Sequence, residues 1–239
     1  MNLCWVYYTV NNDKYRIVPN GDSAITILFN DDISEHLTKR IIGFSLTIKQ
    51  SLGEALIDII PAYKSLTIFF NNRIILLDKL IGEIELLLSS PLTEVSYQSK
   101  TIEIPVCYEE GYGPDLTSLA QHCKLSVEDV IAGHTQRSYL VHMLGFLPGF
   151  LYLGGLSTNL SCPRKSTPAI SIPAGSVAIG DSQTGIYPVS SPGGWHIIGR
   201  TPLTLFNPNS QTPFIASPLD KIHFVSISKT EFTAIKKSF

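Results

Sequence analysis

AISIPAGSVAIGDSQTGIYPVSSPGGWHIIGRTP, residues 169–202, decides the fold of the C-terminal half. Short β-type runs alternate with turn residues: Ala169–Ile172, Ser176–Ile179, Gly185–Val189 and His196–Ile198, with Leu203–Phe206 and Ile222–Ile227 following. Such punctuation predicts a closed barrel or sandwich of short strands. From Leu144 to Asp220 the chain places ten of its fifteen prolines and ten of its seventeen glycines. The same stretch has only five charged side chains, Arg164, Lys165, Asp181, Arg200 and Asp220. A disordered linker would be less apolar and less aromatic.

The N-terminal half has a different pattern. Tyr15–Val18 and Ala24–Phe29 read as strands around Pro19-Asn20-Gly21-Asp22. Ile33, Leu37, Ile41, Phe44 and Ile48 share one helical face, with Ser34 or Asp32 available to cap it. Ala55–Ile60 and Ser65–Phe70 form a second strand pair, and a second helix runs from Asn72 to Ser89 before Pro91. This ββαββα order predicts a ferredoxin-like α+β domain over residues 1–95. The polar stretch Thr93–Lys100 marks the boundary, and the barrel domain takes residues 96–239. Thr101–Cys107 is a strand, and Leu116–His122 and Ser126–His134 are short helices, with Asp115 or Thr117 and Ser126 as caps.

Composition narrows the function. Charged residues are 16% of the 239, the net charge is −2, and Lys and Arg are scattered, so no nucleic-acid footprint is expected. No secretory signal opens the chain and no apolar run is long enough to span a membrane, which points to the cytoplasm. Cys4, Cys107, Cys123 and Cys162 form no C-x-x-C pair, so no metal site is expected and the thiols read as reduced. Phosphate-loop, dinucleotide, zincin and nucleophile-elbow motifs are missing. The chain therefore has no recognisable cofactor motif of its own, although a shared active site stays open.

Polar groups set among glycine, proline and aromatics are the candidate ligand residues. The run from His134 through Gly145-Phe-Leu-Pro-Gly149 to Gly155 has glycines whose N–H groups suit close approach to an anion; a tight apolar turn under a barrel is the alternative. Arg164 can grip a carboxylate or phosphate, while Lys165 reads as solvated. Gln183 offers a donor and an acceptor, Tyr187 a hydroxyl and Arg200 a fixed charge, groups that match the N–H and C=O of an amide or lactam ring. For Tyr187 and Trp195 core packing is a stronger claim than ligand stacking. His196 reads as either a structural histidine or a general base.

Residues 145–156, Pro163-Arg-Lys165, 172–179, 183–188 and 191–202 together resemble the family variously called the 5-oxoprolinase B subunit (PxpB), the kinase inhibitor KipI and allophanate hydrolase subunit 1. The resemblance covers roughly residues 14 to 228, with Asp181-Ser182 replacing a glycine-rich turn. It implies a small α+β domain followed by a cyclophilin-like β-barrel. It also implies two partners, a C subunit, itself cyclophilin-like, and an A subunit. Together with this chain they would open 5-oxo-L-proline to L-glutamate while hydrolysing ATP (with Mg). In that setting Arg164 and Arg200 would hold a carboxylate or phosphorylated intermediate. Gln183, Tyr187 and the Gly145–Gly149 backbone would orient the ring amide, and His134 would belong to the same substrate-binding set. The KipI name implies a rival, an inhibitor of a sensor histidine kinase. Prolyl isomerase activity follows from fold analogy alone.

Overall fold

The structure is a computed structural model that describes residues 10–90 and 97–237. Contacts divide the chain into two compact units, Met1–Tyr97 and Gln98–Phe239.

The first unit runs β1 (Val10–Asn11), β2 (Tyr15–Pro19), β3 (Ala24–Phe29), α1 (Glu35–Leu52), β4 (Leu56–Pro61), β5 (Ser65–Phe70) and α2 (Leu77–Ser89). Its sheet is antiparallel in the order β1-β2-β3-β5-β4. Alternate residues Ile17, Ile25, Ile27, Phe29, Leu66, Ile68 and Phe70 are buried with Leu37, Ile41, Phe44 and Ile48 of α1 and Leu80, Ile81 and Ile84 of α2. The strand period of two and the helix period of 3.6 thus meet in one core. Ser34 caps α1, its Oγ accepting from the Leu37 N–H at 3.1 Å. Helix α2 starts later than expected because the Asn71 carbonyl is taken up in a turn by the Ile74 and Ile75 N–H groups. With β1 added the unit runs βββαββα, whereas a ferredoxin-like unit runs βαββαβ.

The second unit runs β6 (Thr101–Cys107), α3 (Leu116–Cys123), α4 (Val127–Thr135), β7 (Ser138–Leu144), β8 (Leu151–Gly154), β9 (Ala169–Ile172), β10 (Ser176–Gly180), β11 (Gln183–Ile186), β12 (Ser191–Gly193), β13 (His196–Arg200), β14 (Lys221–Ile227) and α5 (Lys229–Lys237). Seven strands close a barrel in the order β10-β11-β8-β7-β14-β6-β13, and β9 with β12 forms a separate ribbon. Among the described residues only β14 and β6 pair in parallel, from Lys221↔Thr101 to Ile227↔Cys107. Three sequence expectations need correction. Leu203–Phe206 contributes a single bridge, Phe206↔Phe214, instead of a strand. The expected strand at Gly185–Val189 lies earlier, at Gln183–Ile186. Part of the stretch taken as a ligand-facing run forms β7 and β8, a hairpin around Gly145–Phe150.

The barrel interior is apolar: Ile104, Val106, Tyr139, Val141, Leu151, Leu153, Val177, Ile179, Ile186, Ile198, Ile222 and Phe224 form one cluster with α3 and α4. His134, at the end of α4, is fully buried. Its Nε2 lies 2.9 Å from Thr184 Oγ1 and its Nδ1 2.8 Å from the Tyr108 hydroxyl. Thr184 Oγ1 donates to the Ala178 carbonyl at 3.0 Å, so it accepts from Nε2–H. That assigns the neutral Nε2–H tautomer, with Nδ1 accepting from Tyr108. The ring stacks on Phe224 at 4.4 Å, and the Tyr139 hydroxyl donates to the His134 carbonyl.

Burial disfavours the imidazolium and pulls the His134 pKa down to about 3. An unfolded chain protonates this group near the ordinary value of about 6.5. Between these values the unfolded state binds the extra proton, so stability falls as pH drops from 6.5 towards 3. Above 6.5 the group contributes no slope. The expected loss is about 1.4 kcal/mol per pH unit from this residue alone. Urea unfolding at pH 7, 6 and 5 measures it, and His134→Asn, weaker overall, should remove that part of the slope.

Candidate functional site

The barrel wall has a second, outward face. On β10 Val177 and Ile179 point inward, so Ala178 and Gly180 point outward. The pairs Ala178↔Gly185 and Gly185↔Tyr152 continue that face across β11 and β8. Gln183, two residues from Gly185, lies on the same side and pairs with Gly180 of β10. Val141↔Leu153 and Met143↔Tyr152 leave His142 as the extra residue of a β-bulge. The His142 ring lies across Gly154, occupying the space a Cβ would fill there.

Trp195 lies across the same glycine floor. A Cβ at Gly180 would come within 2.7 Å of three of its ring atoms, and one at Gly185 within 3.0 Å of Cζ3. Phe150, Tyr152 and Tyr187 pack around it; the Phe150 and Tyr152 centroids are 5.7 and 6.0 Å from the indole. Over the indole sits Arg164, its Cζ 5.7 Å from the ring centroid. Its Nε donates to Asp181 Oδ2 at 2.9 Å, and both side chains are 57% exposed. The Arg164 charge reaches the hydroxyls of Tyr152 and Tyr187, offsetting part of the upward pKa shift that burial gives each. The outer wall therefore presents one exposed cation, a half-buried amide at Gln183 and a half-buried phenol at Tyr152 above a glycine backbone.

Arg164 also borders a cleft of ≈ 620 Å3 lined by Cys162, Lys165, Ser166, Thr167, His122 and His196. Lys165 is not solvated as expected: Nζ pairs with Asp115 Oδ1 at 2.6 Å, while Asp115 Oδ2 accepts from the Ile197 N–H. Asp115 thus ties α3 to β13 and does not cap its own helix. His196 Nε2 is 2.9 Å from the Pro163 carbonyl and 3.4 Å from Cys162 Sγ, which gives the ring a structural partner. Burial pushes the Cys162 thiol up, so it stays protonated. A second cleft, ≈ 590 Å3, contains Glu109, Glu110 and Ser228 but none of the candidate residues.

Of the candidates, Arg164 and Gln183 share the outer wall, joined through the β10–β11 turn that contains Asp181. Tyr187 is 2% exposed beneath it, its hydroxyl turned to Gly193 and the Trp195 backbone. Gly145 and Gly149 belong to the adjoining hairpin loop. The Gly145 N–H is spent on the Phe150 carbonyl, and Gly149, at φ +86°, presses against Phe206 and Pro188. His134 is on the opposite, inner face. Arg200 is at the far end of β13 from His196, opposite Ser176, and its Nε donates to the Ala174 carbonyl at 2.8 Å. The two arginines do not converge. His142, Tyr152 and Asp181 join the site although sequence reasoning passed over them. Glycine at Gly154, Gly180 and Gly185, each beside an aromatic ring, was the available signal.

A family model described as "Carboxyltransferase domain, subdomain C and D" matches residues 15–216. A Bacillus subtilis (strain 168) protein named as the B subunit of 5-oxoprolinase is 39% identical over 234 residues, 94% of this chain and 98% of that protein. The solved structure of TTHA0988 matches with a TM-score of 0.75 at 33% identity, over 86% of this chain and 40% of that one. This chain thus spans well under half of TTHA0988. The Kluyveromyces lactis urea amidolyase matches with a TM-score of 0.78 at 18% identity, over 94% of this chain and 15% of that one, and shares the fold.

Gly180→Ala tests the floor. Its methyl must displace the Trp195 ring, at an expected cost of about 1–3 kcal/mol. In a Trp5→Phe background the remaining indole emission should shift and the melting temperature fall; unchanged emission and stability would contradict this packing.

Proposed function

The chain belongs to the family of 5-oxoprolinase B subunits, and from that membership we propose that it is the non-autonomous B subunit of an ATP-dependent 5-oxoprolinase. With A and C subunits it would cleave 5-oxo-L-proline to L-glutamate in the cytoplasm, its barrel being of the cyclophilin-like form. Among the described residues no helix is long and apolar enough to cross a membrane, which suits that setting.

The observation that supports this reading is the meeting of Arg164, Gln183 and Tyr152 on one outer wall. 5-Oxoproline carries one carboxylate and one ring amide. Arg164 takes the carboxylate through charge-assisted hydrogen bonds. The Gln183 side chain has one acceptor and one donor to match the lactam N–H and C=O. Tyr152, Gly154 and Gly185 form the surface against which the ring rests. These groups bind and orient and do not attack, so their contribution is positioning. The wall is open on its outer side, and partner subunits would close it and exclude water. ATP, with Mg, is a substrate of the complex, and Arg164, Gln183 and Tyr152 act on the cyclic amide only. Tyr187, His134, Gly145, Gly149 and Arg200 support the barrel in this reading and do not touch substrate.

Co-expression with candidate A and C subunits should give ATP-dependent release of glutamate from 5-oxoproline that none of the chains gives alone. Within that complex Arg164→Ala should raise KM for 5-oxoproline roughly 10- to 100-fold, the loss of a hydrogen bond to a charged group. Arg200→Ala should lower the melting temperature and leave KM in place. An assembled complex without glutamate release, or an Arg164→Ala variant at wild-type KM, would sink the proposal.

A further inference from the structure

Five charged side chains lie between Leu144 and Asp220, and each is engaged. Lys165 pairs with Asp115, Arg200 holds the Ala174 carbonyl, and Asp220 accepts from the Lys100 and Ser217 N–H groups. The remaining two, Arg164 and Asp181, hold one another at the surface. Asp181 is in an unusual backbone state, φ +56°, at the β10–β11 turn. A left-handed conformation favours glycine and tolerates Asp or Asn. The turn is fixed from both sides: the Asp181 N–H donates to the Cys162 carbonyl at 2.7 Å, and its carbonyl accepts from the Cys162 N–H and the Ser161 hydroxyl. That clamp holds the carboxylate beside the Arg164 guanidinium, over Trp195 and two residues from Gln183.

From this we infer that Asp181 is a resting counter-ion of the substrate site, an internal carboxylate that occupies Arg164 until a substrate carboxylate displaces it. That role rests on Arg164 being the carboxylate-binding group. Asp181 engages the guanidinium through Nε only, so a ligand carboxylate seeking a two-point grip competes with it directly. The competition is modest because the pair is solvent-exposed, where such pairs are weak. Its consequence is specificity: an uncharged lactam cannot displace Asp181, whereas a lactam acid can.

Asp181→Asn isolates the charge, since Asn accepts the left-handed backbone and keeps the main-chain bonds to Cys162. Asp181→Gly removes charge and strain together. In the assembled complex both variants should lower KM for 5-oxoproline about two- to fivefold, the size of an exposed ion pair. The dissociation constant of 5-oxoproline measured without ATP, by NMR titration, should fall by the same factor. High salt should narrow the gap between variant and parent. If Arg164→Ala raises KM while neither Asp181 variant lowers KM or the dissociation constant, the counter-ion role is overturned and the substrate site stands. If Arg164→Ala leaves KM unmoved, the substrate site falls and the counter-ion role falls with it.

Discussion

The hydrogen bond between His134 Nε2 and Thr184 Oγ1 decides which way the barrel wall faces. In a strand a one-residue slip moves every side chain to the other face. Thr184 is held inward twice, accepting from His134 and donating to Ala178. Its neighbours Gln183 and Gly185 must then face outward. A slipped β11 would bury the Gln183 amide among Ile179, Leu153 and Val141, where an unpaired polar group costs about 1–3 kcal/mol. The same slip would expose Ile186. The buried neutral histidine thus fixes the chemistry of a surface it never reaches.

From that fixed register the outer wall follows step by step. Gly180 and Gly185 leave room for the Trp195 indole to lie flat, and Gly154 does the same for His142. The indole face supports the Arg164 guanidinium. Phe146 closes the end of the platform in a strained state, at φ +66° and 62% exposed, with its ring edge-on to Phe150 and Tyr187. Non-glycine residues in this conformation store of order 1–3 kcal/mol and gather at ligand clamps and switch regions. Its place beside the Arg164 platform fits that pattern.

Much of this was legible in the sequence. Alternating Ile, Leu and Phe located β2, β3 and β5, and Ser34 marked the start of α1. Turn punctuation located β9, β10 and β13, and the scarcity of charge singled out Arg164. What stayed hidden depends on partners distant in sequence. Asp115 reaches Lys165 across fifty residues, which no local pattern reports. Tyr187 and Tyr152 look alike in the sequence, yet one is beneath the aromatic layer and the other at its surface. His142 sits on a bulge, an added residue that breaks the period of two and so escapes any alternation count. Hairpin β7–β8 resembled a ligand-binding loop because its connection carries Gly145, Pro148 and Gly149, which is also the composition of a tight turn.

The two faces of one wall also differ in what their side chains contribute. Val177, Ile179, Ile186 and Ile198 face a closed interior, and what they contribute is burial, about 1.5–3 kcal/mol for a full aliphatic side chain. Outward positions on the same strands carry Gly180, Gly185 and Gln183, which bury little of their own surface. Glycine weakens a strand by roughly 0.5–1 kcal/mol relative to alanine, a cost offset here by the buried Trp195 and Phe150 rings that pack on the glycine backbone. Glycine stands there because the aromatic layer must approach the backbone closely, and that layer supports Arg164. The interior therefore supplies the burial of the barrel, while the outer face holds the aromatic layer and the Arg164 guanidinium above it.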